Sequence, residues 1–117
     1  MFILFLQYNL FEPVLRTRSF KMNSVQLLSE LSKFSADMRL ANSKVYFDSI
    51  LFENDRIIFD HRGDQPSITI GEAIEFLTQN PAKSVWFMSD FSEFPADSIK
   101  KAEYEGESYI RFHSDYY

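Results

Sequence analysis

Asp60-His61 and His113 with Asp115 each set an imidazole beside a carboxylate. That combination serves general acid–base catalysis or holds a divalent metal. If their segments were neighbouring strands, His61 and His113 would approach each other. The spacing, however, matches no metal signature such as His-Glu-x-x-His. Each histidine reads better as a solvent-facing strand end bonded to water or to a nearby acid. Arg62-Gly63-Asp64 spells an integrin-recognition tripeptide, but glycine followed by Gln65-Pro66 is explained as a turn leaving a strand. The chain has no cysteine and three glycines, which removes a thiol nucleophile, a cysteine zinc site, a disulfide scaffold and a glycine-rich phosphate cradle. The sequence therefore predicts no catalytic residue, no metal and no cofactor.

A second kind of chemistry is recognition. Residues 84–99 contain Asp90, Glu93 and Asp97 but no Lys or Arg, and Phe91 and Phe94 alternate with these acids. Proline and the lack of a clear period make Asp90–Asp97 an irregular loop. Aromatic anchors framed by charge suit a protein-binding edge; the structural alternative is that both phenyl rings tuck beneath the loop. Glu103, Glu105 and Glu107 alternate, and side chains two apart on a strand share a face about 6.7 Å apart. Such a ladder would imitate a nucleic-acid backbone, provided no turn at Gly106 breaks it. Tyr104, Tyr109, Tyr116 and Tyr117 gather near the C-terminus, as at a partner surface or a homodimer contact.

The elements that must position these groups follow from periodicity. Leu27, Leu31, Phe34, Met38 and Ala41 share one face of a helix predicted over Val25–Ala41, with Asn23 as cap, Gln26 three residues later and Asn42 as stop. Lys44–Phe52 alternates like a strand, Glu53-Asn54-Asp55 forms a three-residue connection, and Arg56–His61 returns as its hairpin partner. Thr69 and Glu72 form a second capping box for a helix carrying Ile70, Ala73, Ile74 and Leu77, which Asn80-Pro81 ends. Ser84–Ser89 reads as a strand. Ser98–Phe112 reads as a hairpin turning at Glu105-Gly106-Glu107, with a short helix over Ile99–Tyr104 as the alternative. The predicted class is α+β, with an antiparallel or mixed sheet of about four to five strands and two main helices on one face.

Residues 1–21 read as an extended or poorly ordered extension before a single domain over 22–117. Met1–Leu6 is apolar but far shorter than the ~20 residues that span a bilayer, so no membrane association is expected. The 117 residues are 45% hydrophobic and 25% charged, as in soluble globular proteins, with a formal net charge of −5. Residues 1–21 hold Arg16, Arg18 and Lys21 against Glu12, so the rest is more acidic still. That sign disfavours direct nucleic-acid binding and favours a protein partner, either basic or itself a nucleic-acid-binding enzyme or complex. The absence of cysteine fits a reducing cytoplasm.

These features lead to the expectation of a small acidic non-enzymatic protein-binding domain that inhibits or regulates its partner. In size and charge it is similar to inhibitors carried by phages and mobile elements (anti-CRISPR, anti-restriction and nuclease-immunity proteins), though no motif links it to one of them. The expected contacts are Asp90, Phe91, Glu93, Phe94 and Asp97, with Glu103, Glu105 and Glu107 secondary. The alternatives are a small hydrolase or nuclease using Asp60, His61 and His113, and a homo-oligomeric structural subunit.

Overall fold

Both predicted capping boxes form. In the computed structural model, which describes residues 22–116, Asn23 and Gln26 exchange side-chain and backbone hydrogen bonds of 2.8 and 2.9 Å at the start of α1 (Ser24–Leu31). Thr69 and Glu72 do the same at α2 (Ile70–Gln79). A cap satisfies backbone N–H groups that the helix leaves free, so Thr69→Ala is expected to cost about 1 kcal/mol, read as a lowered urea midpoint. The expectations for residues 1–21 and for Tyr117 lie outside the described residues.

The first helix ends ten residues earlier than its apolar spacing predicts, at Leu31 rather than Ala41. Ser32 caps it and turns its hydroxyl onto the Leu28 carbonyl at 2.7 Å. Beyond it, the Ala36 and Met38 carbonyls accept from Gly71 N–H and Ile70 N–H, both at 2.9 Å. The segment thus closes the open end of α2, and Arg39–Ala41 becomes strand β1. A Cβ at Gly71 would lie 3.4 Å from the Ala36 oxygen, an ordinary van der Waals contact, so the approach is set by the hydrogen bonds rather than by glycine. The apolar positions keep their purpose, since Leu27, Leu31 and Ala41 are buried while Phe34 and Met38 pack against the core from the connection.

The remaining strands are β2 (Ser49–Glu53), β3 (Arg56–Asp60), β4 (Ser84–Ser89), β5 (Ser92–Pro95), β6 (Ser98–Tyr104) and β7 (Glu107–His113). The fold is α+β, as predicted. Its described residues form two helices and seven strands in two mixed sheets, ordered β2-β3-β4-β5 and β1-β7-β6, rather than one sheet of four to five strands. β3 and β4 are parallel, joined through α2, and β1 runs parallel to β7; the other pairs are antiparallel hairpins. The helices also depart from the expected single layer, because α1 packs on α2 as well as on β4.

Two expected strand limits shift for local reasons. Asn42 accepts from the N–H groups of Lys44 and Val45, at 2.7 and 2.9 Å, which folds residues 42–45 into a turn and delays β2 to Ser49. The β2–β3 connection has two residues, not three, because Glu53 pairs with Arg56. Asn54 and Asp55 between them lie at φ 53° and 63°, the left-handed pair a type I′ hairpin requires. The predicted hairpin over Ser98–Phe112 is present with a two-residue turn at Glu105-Gly106, and the alternative helix over Ile99–Tyr104 is not.

Between the sheets lies an aromatic core. Phe112 from β7 sits 4.9 Å from Phe59 of β3, 5.2 Å from Phe47 and 5.9 Å from Phe87 of β4, measured between ring centres. All four rings are fully buried. Much of the high phenylalanine content is therefore core filling.

Candidate functional site

The acidic-aromatic segment is a tight hairpin rather than an irregular loop. β4 ends at Ser89, Asp90-Phe91 makes the turn, and Ser92–Pro95 returns as an edge strand with Ser89 opposite Ser92. Pro95 had argued against a strand, but an edge position leaves its missing N–H without consequence. Asp90 and Phe91 lie at φ 51° and 67°. Left-handed backbone suits Gly, Asn or Asp; a phenylalanine there is strained by its Cβ and ring. The Phe91 side chain is also 101% exposed, so the core takes nothing from it.

The acids beside it are held from outside their own segment. Lys44 Nζ lies 2.6 Å from Asp90 Oδ2, and an Arg56 nitrogen lies 2.8 Å from Glu93 Oε1. The Arg56 guanidinium also stacks 4.7 Å from the Trp86 ring centre. Neither Lys44 nor Arg56 was legible as part of the site, since each approaches from a distant stretch of chain. Phe94 is half-buried, 5.9 Å from Phe87 between ring centres. Asp97 turns to the fold: its Oδ2 accepts from Asp115 N–H at 2.7 Å, while Oδ1 is buried without a partner. The five residues thus divide. Asp90, Phe91 and Glu93 face outward, whereas Phe94 and Asp97 serve packing and chain closure.

A cleft of about 590 Å³ opens beside the turn, between Phe91 and the loop carrying His61, Arg62 and Asp64, with Asn42 and Val45 in its wall. Buried Asp48 shapes that loop, accepting from Arg62 N–H and Gly63 N–H at 2.8 Å each. Burial raises the pKa of Asp48, but the N–H bonds from Arg62 and Gly63, the Ser49 hydroxyl and the charge of His61 outweigh it and hold the carboxyl below its ordinary value. Asp48 gave no signal in sequence because it ends an apolar run. The Arg62-Gly63-Asp64 tripeptide is accordingly a turn anchored from beneath, with Gly63 at φ 86°.

The remaining candidates separate. His61 donates from Nδ1 to the Tyr46 carbonyl at 2.9 Å and follows β3 of the four-stranded sheet. His113 ends β7 of the other sheet, with Nε2 3.6 Å from Asp115. The neighbouring-strand arrangement that would join the two imidazoles is not formed. Among the described residues no three His, Cys, Asp or Glu side chains gather as a metal site. The carboxylate ladder is broken too: Glu103 lies on β6, Glu105 in the turn and Glu107 on β7. Glu103 pairs with Ser108 and Glu107 with Tyr104, adjacent rungs whose side chains project to opposite faces.

Glu107 instead accepts from the Tyr46 hydroxyl at 3.2 Å. Burial, then the Glu107 carboxylate, pushes the Tyr46 phenol up. Of the terminal tyrosines, Tyr104 and Tyr116 are exposed and Tyr109 packs edge-on to Tyr46 at 5.7 Å. No helix among the described residues is long and apolar enough to cross a membrane.

No protein-family model, curated protein or solved structure matches this chain. What the site can do rests on its own geometry. It presents one unburied ring at the tip of the β4–β5 hairpin, flanked by carboxylates and beside a cleft.

Proposed function

We propose that the protein is a non-enzymatic protein-binding domain that inhibits or regulates a partner protein, with the β4–β5 hairpin tip as its contact. The observation that carries this reading is Phe91, a large apolar side chain left wholly in water at a backbone position that glycine would occupy without strain. Among the described residues neither the backbone strain nor the exposed aromatic is offset by packing, and both are features of binding surfaces. Burying such a ring against a partner contributes about 1.5–3 kcal/mol.

Asp90 and Glu93 set the charge around it. Their ion pairs with Lys44 and Arg56 fix the carboxylates in place, and paired charges at a rim govern approach and register more than affinity. The acidic surface favours a basic partner or a nucleic-acid-binding enzyme, in the manner of the small inhibitors of phages and mobile elements, acting in the cytoplasm. The cleft beside Phe91 receives a projecting group of that partner.

The test is affinity purification from the native host with the full chain and with Phe91→Gly, followed by mass spectrometry. A protein retained by the parent chain and lost by the variant is the expected result. Equal recovery by both removes the tip from the contact surface.

A further inference from the structure

We propose that two copies of this chain associate through the outer edge of β6, in one register, to make a continuous six-stranded sheet. This surface belongs to the other sheet from the Phe91 hairpin tip and does not depend on how that tip is used.

Among the described residues β6 is bonded to β7 alone, and its other side has no strand partner there. The two-residue turn makes Tyr104 and Glu107 the hydrogen-bonded closing pair, and antiparallel pairs then alternate. Ala102 and Lys100 consequently turn their backbone groups toward β7. Ile99, Lys101 and Glu103 turn theirs outward, offering three N–H and three C=O groups to another strand. No proline interrupts β6, and both Lys101 and Glu103 are exposed.

Edge lysines ordinarily oppose such pairing. Here they select a register. A two-fold axis perpendicular to a sheet must pass through a residue that faces its own copy, since a one-residue offset would set paired side chains on opposite faces. Centred on Lys101, the axis places two lysines together; centred on Glu103, it places two glutamates together. Centred on Ala102, it sets Lys101 opposite Glu103 of the second copy, twice, with these residues exchanging the outward backbone bonds. On the other face Lys100 meets Tyr104 of the second copy, also twice, and the small Ala102 sits at the axis. Opposite charges directly across a strand pair stabilise it, like charges destabilise it, and an ammonium over a tyrosine ring adds attraction. The edge is thus electrostatically self-complementary in that register and repulsive in the two beside it.

Sedimentation of the full chain across a dilution series tests this. The expected result is a monomer–dimer equilibrium, dimeric at about 100 µM, which Lys101→Glu and Glu103→Lys each weaken at least about tenfold by creating two like-charge pairs. An equimolar mixture of the two variants is expected to restore association, because each then supplies the charge the other lacks. Circular dichroism on each variant confirms that the exposed substitutions leave the fold intact. A chain monomeric at that concentration overturns the proposal. So does a dimer that Lys101→Glu leaves unchanged, or variants that weaken but do not recover on mixing.

Discussion

Replacing Phe112 by alanine is expected to lower the unfolding free energy by about 3–5 kcal/mol, the largest effect of any single change here. Phe112 is the only core ring that β7 contributes among the four, and it faces Phe59 and Phe87 of the other sheet and Phe47 of the connection. Its removal leaves a cavity where the two sheets meet. The packed rings around it also lose contacts beyond simple area. A domain of this size has about 5–15 kcal/mol in total, so the variant is expected to unfold at a greatly reduced urea midpoint. Phe52→Ala is the control, since that side chain is 50% exposed at the edge strand β2 and the same truncation there removes little buried surface. Equal losses in the two variants would show that the interface between the sheets is not the stabilising core.

The second large effect concerns Asp48. Its buried carboxylate holds two backbone N–H groups of the 61–64 loop and the Ser49 hydroxyl. Hydrogen bonds to a charged group carry more than neutral ones, and Asp48→Ala leaves their donors without a partner, for an expected loss of about 3 kcal/mol. The pH dependence has a definite sign. The folded carboxyl is held below its ordinary value, so its contribution is fully present above the unfolded pKa, near pH 4, and is lost as pH falls through the lower folded value. Asp48→Asn retains the shape and one accepting oxygen, and is expected to be less stable than the parent at pH 7 while losing part of the acid sensitivity below pH 4. Urea midpoints of parent and variant measured from pH 2 to pH 7 check this; parallel curves would remove Asp48 from the acid response.

How far the sequence was legible varies with the range of the interaction. Asn23 with Gln26 and Thr69 with Glu72 act across three residues, so both helix starts were readable. Ser84–Ser89 has flanking breaks and the Ser98–Phe112 hairpin has Gly106 at its turn; both were readable too. The early end of α1 was not. Leu27, Leu31, Phe34, Met38 and Ala41 fit a continuous helix, yet the carbonyls of Ala36 and Met38 are taken by the start of α2, a contact that no local spacing records. The turn at Asp90-Phe91 was obscured because phenylalanine stands where an Asn-Gly or Asp-Gly pair would announce a hairpin.

The candidate site followed the same rule. Asp90, Phe91 and Glu93 could be singled out from type and charge, but which of the five residues faced outward depended on Lys44, Arg56 and Asp115 arriving from elsewhere. Phe94 and Asp97 are spent on the fold for that reason. The glutamate ladder failed on one residue, Gly106, whose φ of 82° reverses the chain inside it.

Binding and folding are expected to separate at Phe91, and one paired measurement tests this: the affinity of the parent chain and of Phe91→Gly for the captured partner, with urea midpoints for both. The predicted result is affinity lowered at least about tenfold and a midpoint unchanged or raised by up to about 1 kcal/mol of stability, as left-handed strain is released. An unchanged affinity with a clearly lowered midpoint would contradict the account and make the exposed ring a structural element of the fold.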